Sequence, residues 1–390
     1  MMERLSASAI LKKYTMIIAL VLVVIFFSFT TEGKILFPQN INNLISQNAY
    51  VFVLATGMLL CILTGGNIDL SVGSVVCFAG AIGATMMDKK VNIWVAVLSM
   101  LLIGILIGVW QGFWIAYVKV PPFIATLAGM YAFRGLSNVV LQGMTVSLKS
   151  ETFIRVFGGG ADCYIPDVFG GDGLNMTCML AGCVAVIILV AMQLKSRINN
   201  KSRGYETAPL GSTVAKLVVI SAVILWVTYK LASYKGIPTA LIWILLVLLF
   251  YGYLTTKTRI GRYLYAVGGN EKATRLSGIN TKKVYFIAYV NMGLLAAVAG
   301  ILTIARLTTA QPTYGQGYEM DAIGACFIGG ASAYGGVGSV VGVVVGATLM
   351  GVINMGMSIM GIDANYQKVV KGLVLLAAVA FDVLSKREKK

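Results

Sequence analysis

The amino-acid sequence predicts an all-α polytopic membrane protein with about ten to twelve transmembrane helices, including glycine-interrupted segments that are repeated within the chain. Hydrophobic residues make up 58% of the 390 positions and charged residues only 12%. A soluble domain averages about 45–50% apolar and about 25% charged residues. Apolar stretches near the ~20 residues that cross ~30 Å of hydrocarbon recur along the whole chain. We therefore expect the chain to lie in a lipid bilayer.

About a dozen stretches are candidate spans, each of them predominantly apolar. In order they are residues 14–29, 44–63, 70–87, 91–118, 123–141, 174–194, 214–231, 238–254, 284–305, 322–336, 337–360 and 366–384. The first span lacks a small-residue cleavage site, so we expect it to be retained. The polar stretches between spans are too short for a separate soluble domain, and we expect one transmembrane domain over residues 1–390.

The basic residues predict the orientation of the chain. Lys and Arg number 31 against 15 Asp and Glu, and cytoplasmic loops carry such an excess. With both termini in the cytoplasm, the two most basic loops, 195–216 and 257–283, also lie inside, and the loop 142–173 lies outside. This rule explains the positive charge without a nucleic-acid partner.

The composition also excludes several kinds of chemistry. The chain has no histidine, which removes the Ser-His-Asp and Cys-His catalytic arrangements and the commonest metal ligand. The six cysteines include no C-x-x-C pair, so we expect buried thiols and no metal site. No G-x-x-x-x-G-K-[ST] phosphate loop occurs, and we do not expect an enzyme.

Two glycine-rich segments interrupt the helical pattern, and we name them the first break (residues 64–74) and the second break (residues 328–339). The surrounding sequence is duplicated: Val72-Gly-Ser-Val-Val76 recurs as Val337-Gly-Ser-Val-Val341, and Gly83-Ala-Thr-Met-Met87 as Gly346-Ala-Thr-Leu-Met350. Repeated, glycine-interrupted segments are typical of a transport pathway, because broken helices expose backbone polar groups that a cavity can satisfy. Close helix packing through small residues is the alternative.

The loop 257–283 contains the pattern of a short helix outside the bilayer. Asn270 is a plausible N-cap, Glu271 stands in the first turn, and Gly278 is a C-terminal stop. One small apolar face is formed by Ala273, Leu276 and Ile279. Such a helix suits insertion into a groove of a partner protein. A solvated basic loop held near the membrane is the alternative.

The segment Gly268-Gly-Asn-Glu-Lys-Ala-Thr-Arg-Leu-Ser-Gly-Ile-Asn280 resembles the coupling helix of sugar ABC-importer permeases of the ribose/xylose/galactose family. The resemblance covers nearly the whole chain, with its motifs in family order. The other motifs are Ile68-Asp-Leu-Ser-Val-Gly-Ser74, Lys119-Val-Pro-Pro-Phe-Ile-Ala-Thr-Leu-Ala-Gly129, Phe133-Arg-Gly135, Glu319-Met-Asp-Ala-Ile323, Gly329-Gly330, Gly335-Gly-Val-Gly-Ser339 and Val369-Val-Lys-Gly372.

Within that family the chain is most similar to the D-xylose type or the multiple-monosaccharide permeases. An extra pair of spans around 214–254, with Tyr234-Lys-Gly-Ile-Pro238 between them, distinguishes it from the shorter ribose type. Asn67 is a departure, since the ribose type runs directly from Gly to Ile-Asp at this point. The resemblance therefore leaves the sugar open.

The resemblance implies a permease subunit that translocates a monosaccharide, D-xylose or a related pentose or hexose, across the bacterial inner membrane. It implies a second permease copy in a homodimer, an extracytoplasmic sugar-binding protein, and a separate tandem-domain ATPase that binds ATP and Mg²⁺, with no cofactor in this chain. The expected ATPase-coupling residues are Gly269, Asn270, Glu271, Ala273, Arg275, Leu276, Ser277 and Gly278. An ion-coupled secondary sugar transporter is the alternative, although a proton-coupled carrier would place several titratable groups in mid-membrane.

Sugar sites combine polar groups with aromatic faces. The candidate pathway residues are Asn67, Asp69, Ser71, Trp110, Gln111, Trp114, Arg134, Asn138, Asn291 and Asn354. Several of these residues have a structural alternative. Asp69 would cap the helix that follows it. The tryptophans would anchor the chain at the membrane–water interface, and the asparagines would form hydrogen bonds between helices. Arg134 needs a partner or a wet cavity, because a charge at the bilayer centre costs about 2.5–3.5 kcal/mol.

Charged residues on the outer side are candidates for docking the binding protein, because charged rims steer encounter. They are Arg155, Asp162, Asp167, Asp172 and Glu319. A solvated loop explains them equally well.

Overall fold

A computed structural model describes residues 7–158, 163–171, 173–205 and 209–387. The regular structure within these ranges is almost entirely helical, which confirms the predicted all-α fold. In chain order the helices are α1 (Ala7–Thr30), α2 (Pro38–Gln47), α3 (Ala49–Leu63), α4 (Val72–Asp88), α5 (Ile93–Phe113), α6 (Pro122–Leu141), α7 (Glu151–Phe157), α8 (Met176–Ser202), α9 (Leu210–Ala232), α10 (Thr239–Lys257), α11 (Arg259–Gly269), α12 (Glu271–Leu276), α13 (Thr281–Leu307), α14 (Tyr318–Ile328), α15 (Val340–Ile359) and α16 (Ala364–Arg387).

Four short elements complete the described structure. A 3-10 turn covers Lys34–Leu36, and the π-helical turn Trp114–Val118 directly continues α5. Two strands of two residues each, β1 (Val146–Ser147) and β2 (Thr309–Ala310), pair antiparallel.

The chain divides into two compact units. The first unit comprises the chain up to Ile35, residues 44–163, and the chain from Ala240 onward. The second unit comprises residues 36–43 and 164–239.

Helices α3 and α13 form the core of the first unit. Of the fifteen residues of α3, only Tyr50 is not buried, and α13 packs against α3, α4 and α5. The crossing of α5 and α13 is close because it is made by glycines: a Cβ at Gly293 would overlap the carbonyl oxygen of Gly104, and Gly108 meets the backbone of Tyr289. Small residues allow helix backbones to approach in this way within a membrane.

Among the described residues, seven helices are long and apolar enough to cross a membrane. They are α5 with its π-helical turn, α6, α8, α9, α10, α13 and α15. An eighth is gained if the bent pair α2 and α3 counts as one span, and two further apolar helices, Thr15–Thr30 and Val72–Asp88, are shorter. The chain is therefore a multi-pass membrane protein, and the number of ten to twelve spans stays a prediction.

One predicted span differs clearly from the structure. The stretch 322–336 begins inside α14 (Tyr318–Ile328), whose eleven residues reach only about 16 Å at 1.5 Å per residue. Gly329 follows the helix, and Gly330 has a φ of +81°, a left-handed conformation that a helix cannot contain. The remainder of this stretch is loop, so α14 is too short to cross the bilayer.

The second unit contains α8 and α9, which pack against each other. Their close contact lies where Gly182 meets the side chain of Thr228. Most of their apolar side chains are exposed, as expected for helices that face lipid. The segment before α8 is held to this unit by a hydrogen bond from the backbone N–H of Ile165 to the carbonyl oxygen of Ile237, 2.9 Å long.

The two breaks contact each other in the first unit. A Cβ at Gly66 would overlap the carbonyl oxygen of Ala333, and one at Gly335 would overlap the backbone of Gly65. Gly66 and Gly335 also have φ values of +76° and +81°. Because both glycines combine a left-handed backbone with a neighbouring backbone in contact, substitution at either position would strain the structure.

Candidate functional site

The predicted short helix is present as α12. The side chain of Asn270 accepts a hydrogen bond from the backbone N–H of Ala273 at 2.9 Å, and Gly278 has a φ of +82° just beyond the helix end. Asn270 is therefore an N-cap and Gly278 a left-handed stop, as the sequence predicts. The preceding helix α11 is capped by Thr258, whose hydroxyl accepts from the N–H of Gly261 at 3.2 Å.

One side of α12 is open to solvent. Ala273, Arg275 and Leu276 are exposed, and Leu276 is 87% exposed. Thr274, on the opposite side, is buried, and its hydroxyl lies 2.8 Å from the carbonyl oxygen of Ala266 in α11. The helix is thus fixed to the protein on one side and presents an isolated apolar side chain on the other.

The carboxylate of Glu271 points inward, toward α13. It accepts hydrogen bonds from the hydroxyls of Thr281 and Tyr285, both 3.1 Å long. The ammonium of Lys119 lies 3.8 Å from its Oε1. Glu271 therefore positions the first turn of α12 against α13 and against the end of the π-helical turn.

A cavity of about 160 Å³ lies beside this carboxylate. Its polar lining consists of Asn67 from the first break, Lys119, Glu271 and Tyr285. Its apolar lining consists of Ile115, Val120, Pro121 and Pro122. Two sequence-predicted residues that are far apart in the chain, Asn67 and Glu271, thus meet at one cavity.

Helix α11 contacts the second break directly and the first break at its edge, where Leu63 ends α3. A Cβ at Gly268 would overlap the carbonyl oxygen of Leu63, the residue before the first break, and the backbone nitrogen of Gly336 in the second break. The hydroxyl of Tyr265 donates to the carbonyl oxygen of Gly338 at 2.8 Å. The α11–α12 segment is therefore packed against the backbone of the second break and of the residue that precedes the first break, and the two breaks touch each other.

A buried polar cluster lies at the end of the first break. Asp69, 3% exposed, accepts hydrogen bonds from the backbone N–H of Ser71 at 2.8 Å and from its hydroxyl at 2.6 Å. The amide of Gln111 in α5 donates to the same hydroxyl. The expected hydrogen bonds between Asp69 and Ser71 are present, but the N-cap position of α4 is Ser71 and no side chain caps this helix, so the predicted cap by Asp69 is wrong. Asp69 instead stabilises the turn before α4, because its carboxylate bonds two residues ahead, and three candidate pathway residues meet there.

The partner of Arg134 is backbone. Its guanidinium donates to the carbonyl oxygens of Pro312, at 3.0 Å, and Tyr314. The charge is satisfied by backbone carbonyls in the segment between β2 and α14, which it holds against α6. Asn138 is exposed, and its amide donates to the carbonyl oxygen of Arg134 at 3.3 Å.

The two tryptophans lie on the outer surface of the first unit. Trp110 is 41% exposed and Trp114 38% exposed, and their rings meet edge to face at 6.4 Å. Neither lines the cavity beside Glu271.

The remaining asparagines lie between helices. Asn291 in α13 accepts from the hydroxyl of Tyr251 in α10 at 2.7 Å, an interhelical bond of the kind given as the alternative. The Oδ1 of Asn354 in α15 is buried and has no hydrogen-bond partner among the described residues.

One buried ion pair was missed by the sequence analysis. The ammonium of Lys371 in α16 lies 3.0 Å from the carboxylate of Asp321 in α14, and the hydroxyl of Tyr50 donates to the same carboxylate at 2.7 Å. Asp321 is 1% exposed. The available signal was an acidic residue at the edge of the apolar stretch 322–336 and a basic residue inside the stretch 366–384, because charged residues are rare in such stretches and pair with one another.

The second break is held by the same terminal helix. The backbone N–H of Ala333 donates to the carboxylate of Asp382 in α16 at 3.0 Å. Together with the Asp321–Lys371 pair, this contact fixes α16 to both ends of the α14 region.

The candidate docking residues lie on different elements. Arg155 is exposed on α7, and Glu319 is half-buried in the first turn of α14. Desolvation raises the pKa of Asp167, but hydrogen bonds from the Thr177 hydroxyl and from backbone N–H groups lower it to about 2. Asp167 therefore orders its own loop. Asp162 and Asp172 lie outside the described residues.

These features define a multi-pass membrane protein with a capped helix outside its spans and two contacting breaks between them. The sequence profile of the branched-chain amino acid transport system / permease component family matches residues 40–166 and 164–379. The chain belongs to this family. No solved structure matches it.

Curated relatives cover almost the whole chain. The xylose transport system permease protein XylH of Haemophilus influenzae is 38% identical over 385 residues, 97% of this chain and 98% of the relative. The protein of the same name in Escherichia coli K12 is 36% identical over 383 residues, 97% of this chain and 93% of the relative. The ribose import permease protein RbsC of Escherichia coli K12 is 37% identical over 345 residues, 88% of this chain and 85% of the relative.

Proposed function

We propose that this chain is the membrane permease subunit of a binding-protein-dependent ABC importer for a monosaccharide, D-xylose or a related pentose or hexose. The observation that carries the proposal is the position of α12, which presents an exposed leucine and continues from a helix packed against both breaks. The near full-length similarity to xylose permeases supports the choice of substrate class. The similarity to a ribose permease keeps that class broad.

The mechanism follows from these contacts. A separate ATPase binds the exposed face of α12, with Ala273, Arg275 and Leu276 as the contact residues. ATP and Mg²⁺ bind in that partner, and its conformational change displaces α12 and α11 together, because Thr274 and Glu271 fix them to each other and to α13. Gly268 then moves the two breaks, whose irregular backbone lines the pathway.

The complex has further parts in this proposal. Two copies of the chain form a homodimer in the bacterial inner membrane with both termini in the cytoplasm, and a tandem-domain ATPase lies below them. An extracytoplasmic monosaccharide-binding protein delivers the sugar to the outer side. The positive-inside rule supports this orientation, because the α11–α12 segment and the terminal segments carry much of the basic charge.

The test is reconstitution in liposomes with and without the ATPase and the sugar-binding protein of the same system. We expect uptake of radiolabelled D-xylose to require ATP and both partners, and to persist when ion gradients are collapsed. The ion-coupled secondary transporter would be established instead if the purified permease took up sugar alone and lost this uptake when a proton or sodium gradient was collapsed. A panel of D-xylose, ribose, galactose and arabinose on the binding protein would identify the sugar.

A further inference from the structure

The cavity beside Glu271 has the size and lining of a ligand site. A cavity needs about 10–15 Å³ to hold one water molecule, and at about 160 Å³ this cavity is about ten times larger. It therefore has room for a molecule of several non-hydrogen atoms. Its lining combines polar and apolar side chains, as is found where a protein binds a small organic ligand.

The lining carries no net charge, which restricts the class of ligand. Its only charged side chains are Lys119 and Glu271, whose Nζ and Oε1 atoms lie 3.8 Å apart. A charged ligand would face one favourable and one unfavourable partner, whereas a neutral ligand meets no such penalty. Hydroxyl groups can donate to Glu271 and accept from Lys119, and Asn67 can do both. The prolines and the ring of Tyr285 can cover the C–H face of a sugar ring.

The cavity also joins three separate parts of the chain. Asn67 belongs to the first break, Lys119 follows the π-helical turn of α5, and Glu271 is the first residue of α12. A π-helical turn within a helix frequently marks a functional site. A ligand that bonds to all three would stabilise the arrangement in which they lie together, because binding favours the conformation that holds the site.

We propose that this cavity is a second, low-affinity site for the transported monosaccharide, filled from the cytoplasm, and that its occupancy holds α12 in place and slows ATP-driven import. The proposal rests on the proposed function for the side of the membrane and the class of ligand. Sugar that accumulates in the cytoplasm thereby limits further uptake, because it acts on α12, the helix that binds the ATPase.

Binding is tested by thiol protection, which does not require the ATPase. Among the six cysteines only Cys183 is exposed, so Val120→Cys in a Cys183→Ser background places one accessible thiol in the cavity lining. In inside-out membrane vesicles, we expect D-xylose in the millimolar range to slow maleimide labelling of this thiol several-fold. An equal concentration of sucrose, a disaccharide, should not slow it. Equal labelling with and without D-xylose, or equal protection by both sugars, would overturn the proposal.

A matched pair of lysine variants tests which residues hold the sugar. In the same background, Lys119→Met should abolish the protection by D-xylose, because it removes a polar group from the lining. Lys257→Met, which changes an exposed lysine at the end of α10 outside the cavity, should leave the protection intact. Protection that survives in the Lys119→Met variant would contradict the assigned site.

Regulation is tested in the reconstituted complex. Vesicles oriented with the ATPase outside allow D-xylose or sucrose to be added to the cytoplasmic face while ATP hydrolysis is measured with the loaded binding protein inside. We expect D-xylose to reduce hydrolysis several-fold relative to sucrose, and Lys119→Met to remove the difference between the sugars. If import is ATP-driven but hydrolysis is unaffected by D-xylose, the regulatory inference fails while the proposed function stands.

Discussion

At the scale of single residues, Leu276 is the most informative side chain of the coupling segment. It is 87% exposed on a six-residue helix that is anchored from its other side by the buried Thr274. An apolar side chain in such a position contributes nothing to the stability of this chain alone. It can stabilise a complex with a partner protein, because burying a leucine side chain contributes about 1.5–3 kcal/mol of favourable free energy.

We therefore expect Leu276→Asp to weaken association with the ATPase by at least about tenfold, which corresponds to about 1.4 kcal/mol or more. Uptake should fall in proportion, and the thermal unfolding of the purified permease should not change, because exposed substitutions usually alter stability by less than about 0.5 kcal/mol. Co-purification of the ATPase and sugar uptake are the measurements. Leu276→Met, which keeps the apolar volume, is the control; normal coupling in the Asp variant would exclude Leu276 as a contact.

The pair of Asp321 and Lys371 leads to a prediction about stability. Removing one member of a buried pair costs about 3–5 kcal/mol, because the other charge is left without its partner. Lys371→Met should therefore lower the unfolding midpoint in detergent strongly. Asp321→Asn combined with Lys371→Met should recover most of the loss, since no charge then stays buried. If the double variant loses as much stability as the two single variants together, the loss of stability in Lys371→Met does not come from breaking the ion pair.

At the scale of elements, α11 links the coupling helix to the breaks, and Gly268 is the point of closest approach. Its missing side chain allows the backbone of α11 to lie against Leu63 and Gly336. Helix α14 packs against α16, and the second break contacts both α11 and α16. The mechanical role assigned to the segment depends on this close packing.

Gly268→Ala should therefore separate α11 from both breaks. Overpacking costs about 1–3 kcal/mol, so we expect a lower unfolding temperature and a loss of uptake greater than the loss of ATP binding by the complex. Gly252→Ala in α10 is the matched control, because a Cβ there meets nothing within 4 Å and alanine favours a helix by up to about 1 kcal/mol. Equal behaviour of the two variants would contradict the proposed linkage.

At the scale of the whole molecule, the sequence predicts which loops share a side of the membrane. In a Cys183→Ser background, Lys272→Cys in α12 and Val168→Cys before α8 place exposed thiols on loops expected on opposite sides. A membrane-impermeant maleimide should label only the Val168→Cys protein in spheroplasts and only the Lys272→Cys protein in inside-out vesicles. Labelling of both from one side would refute the orientation.

Much of the fold was predictable because it depends on local pattern. The apolar stretches located most of the helices, the Asn270 and Gly278 signals placed the ends of α12, and the hydrogen bonds between Asp69 and Ser71 follow from their spacing. The inward direction of Glu271 was not predictable, since Thr281 and Tyr285 lie on another helix. The partner of Arg134 was not predictable either, because it is a pair of backbone carbonyls far along the chain.

By itself the sequence determined the environment of this protein and the chemistry it lacks: composition requires a bilayer, and the absence of histidine removes whole classes of catalysis. Hydrophobic length and capping act over a few residues, so they can be recognised in a linear string. Only the tertiary structure decided that the two breaks touch, that α11 lies against both, and that Asn67, Lys119 and Glu271 surround one cavity. Those contacts join residues up to about two hundred and seventy positions apart, and packing alone selects them from the many pairings that the apolar helices would allow.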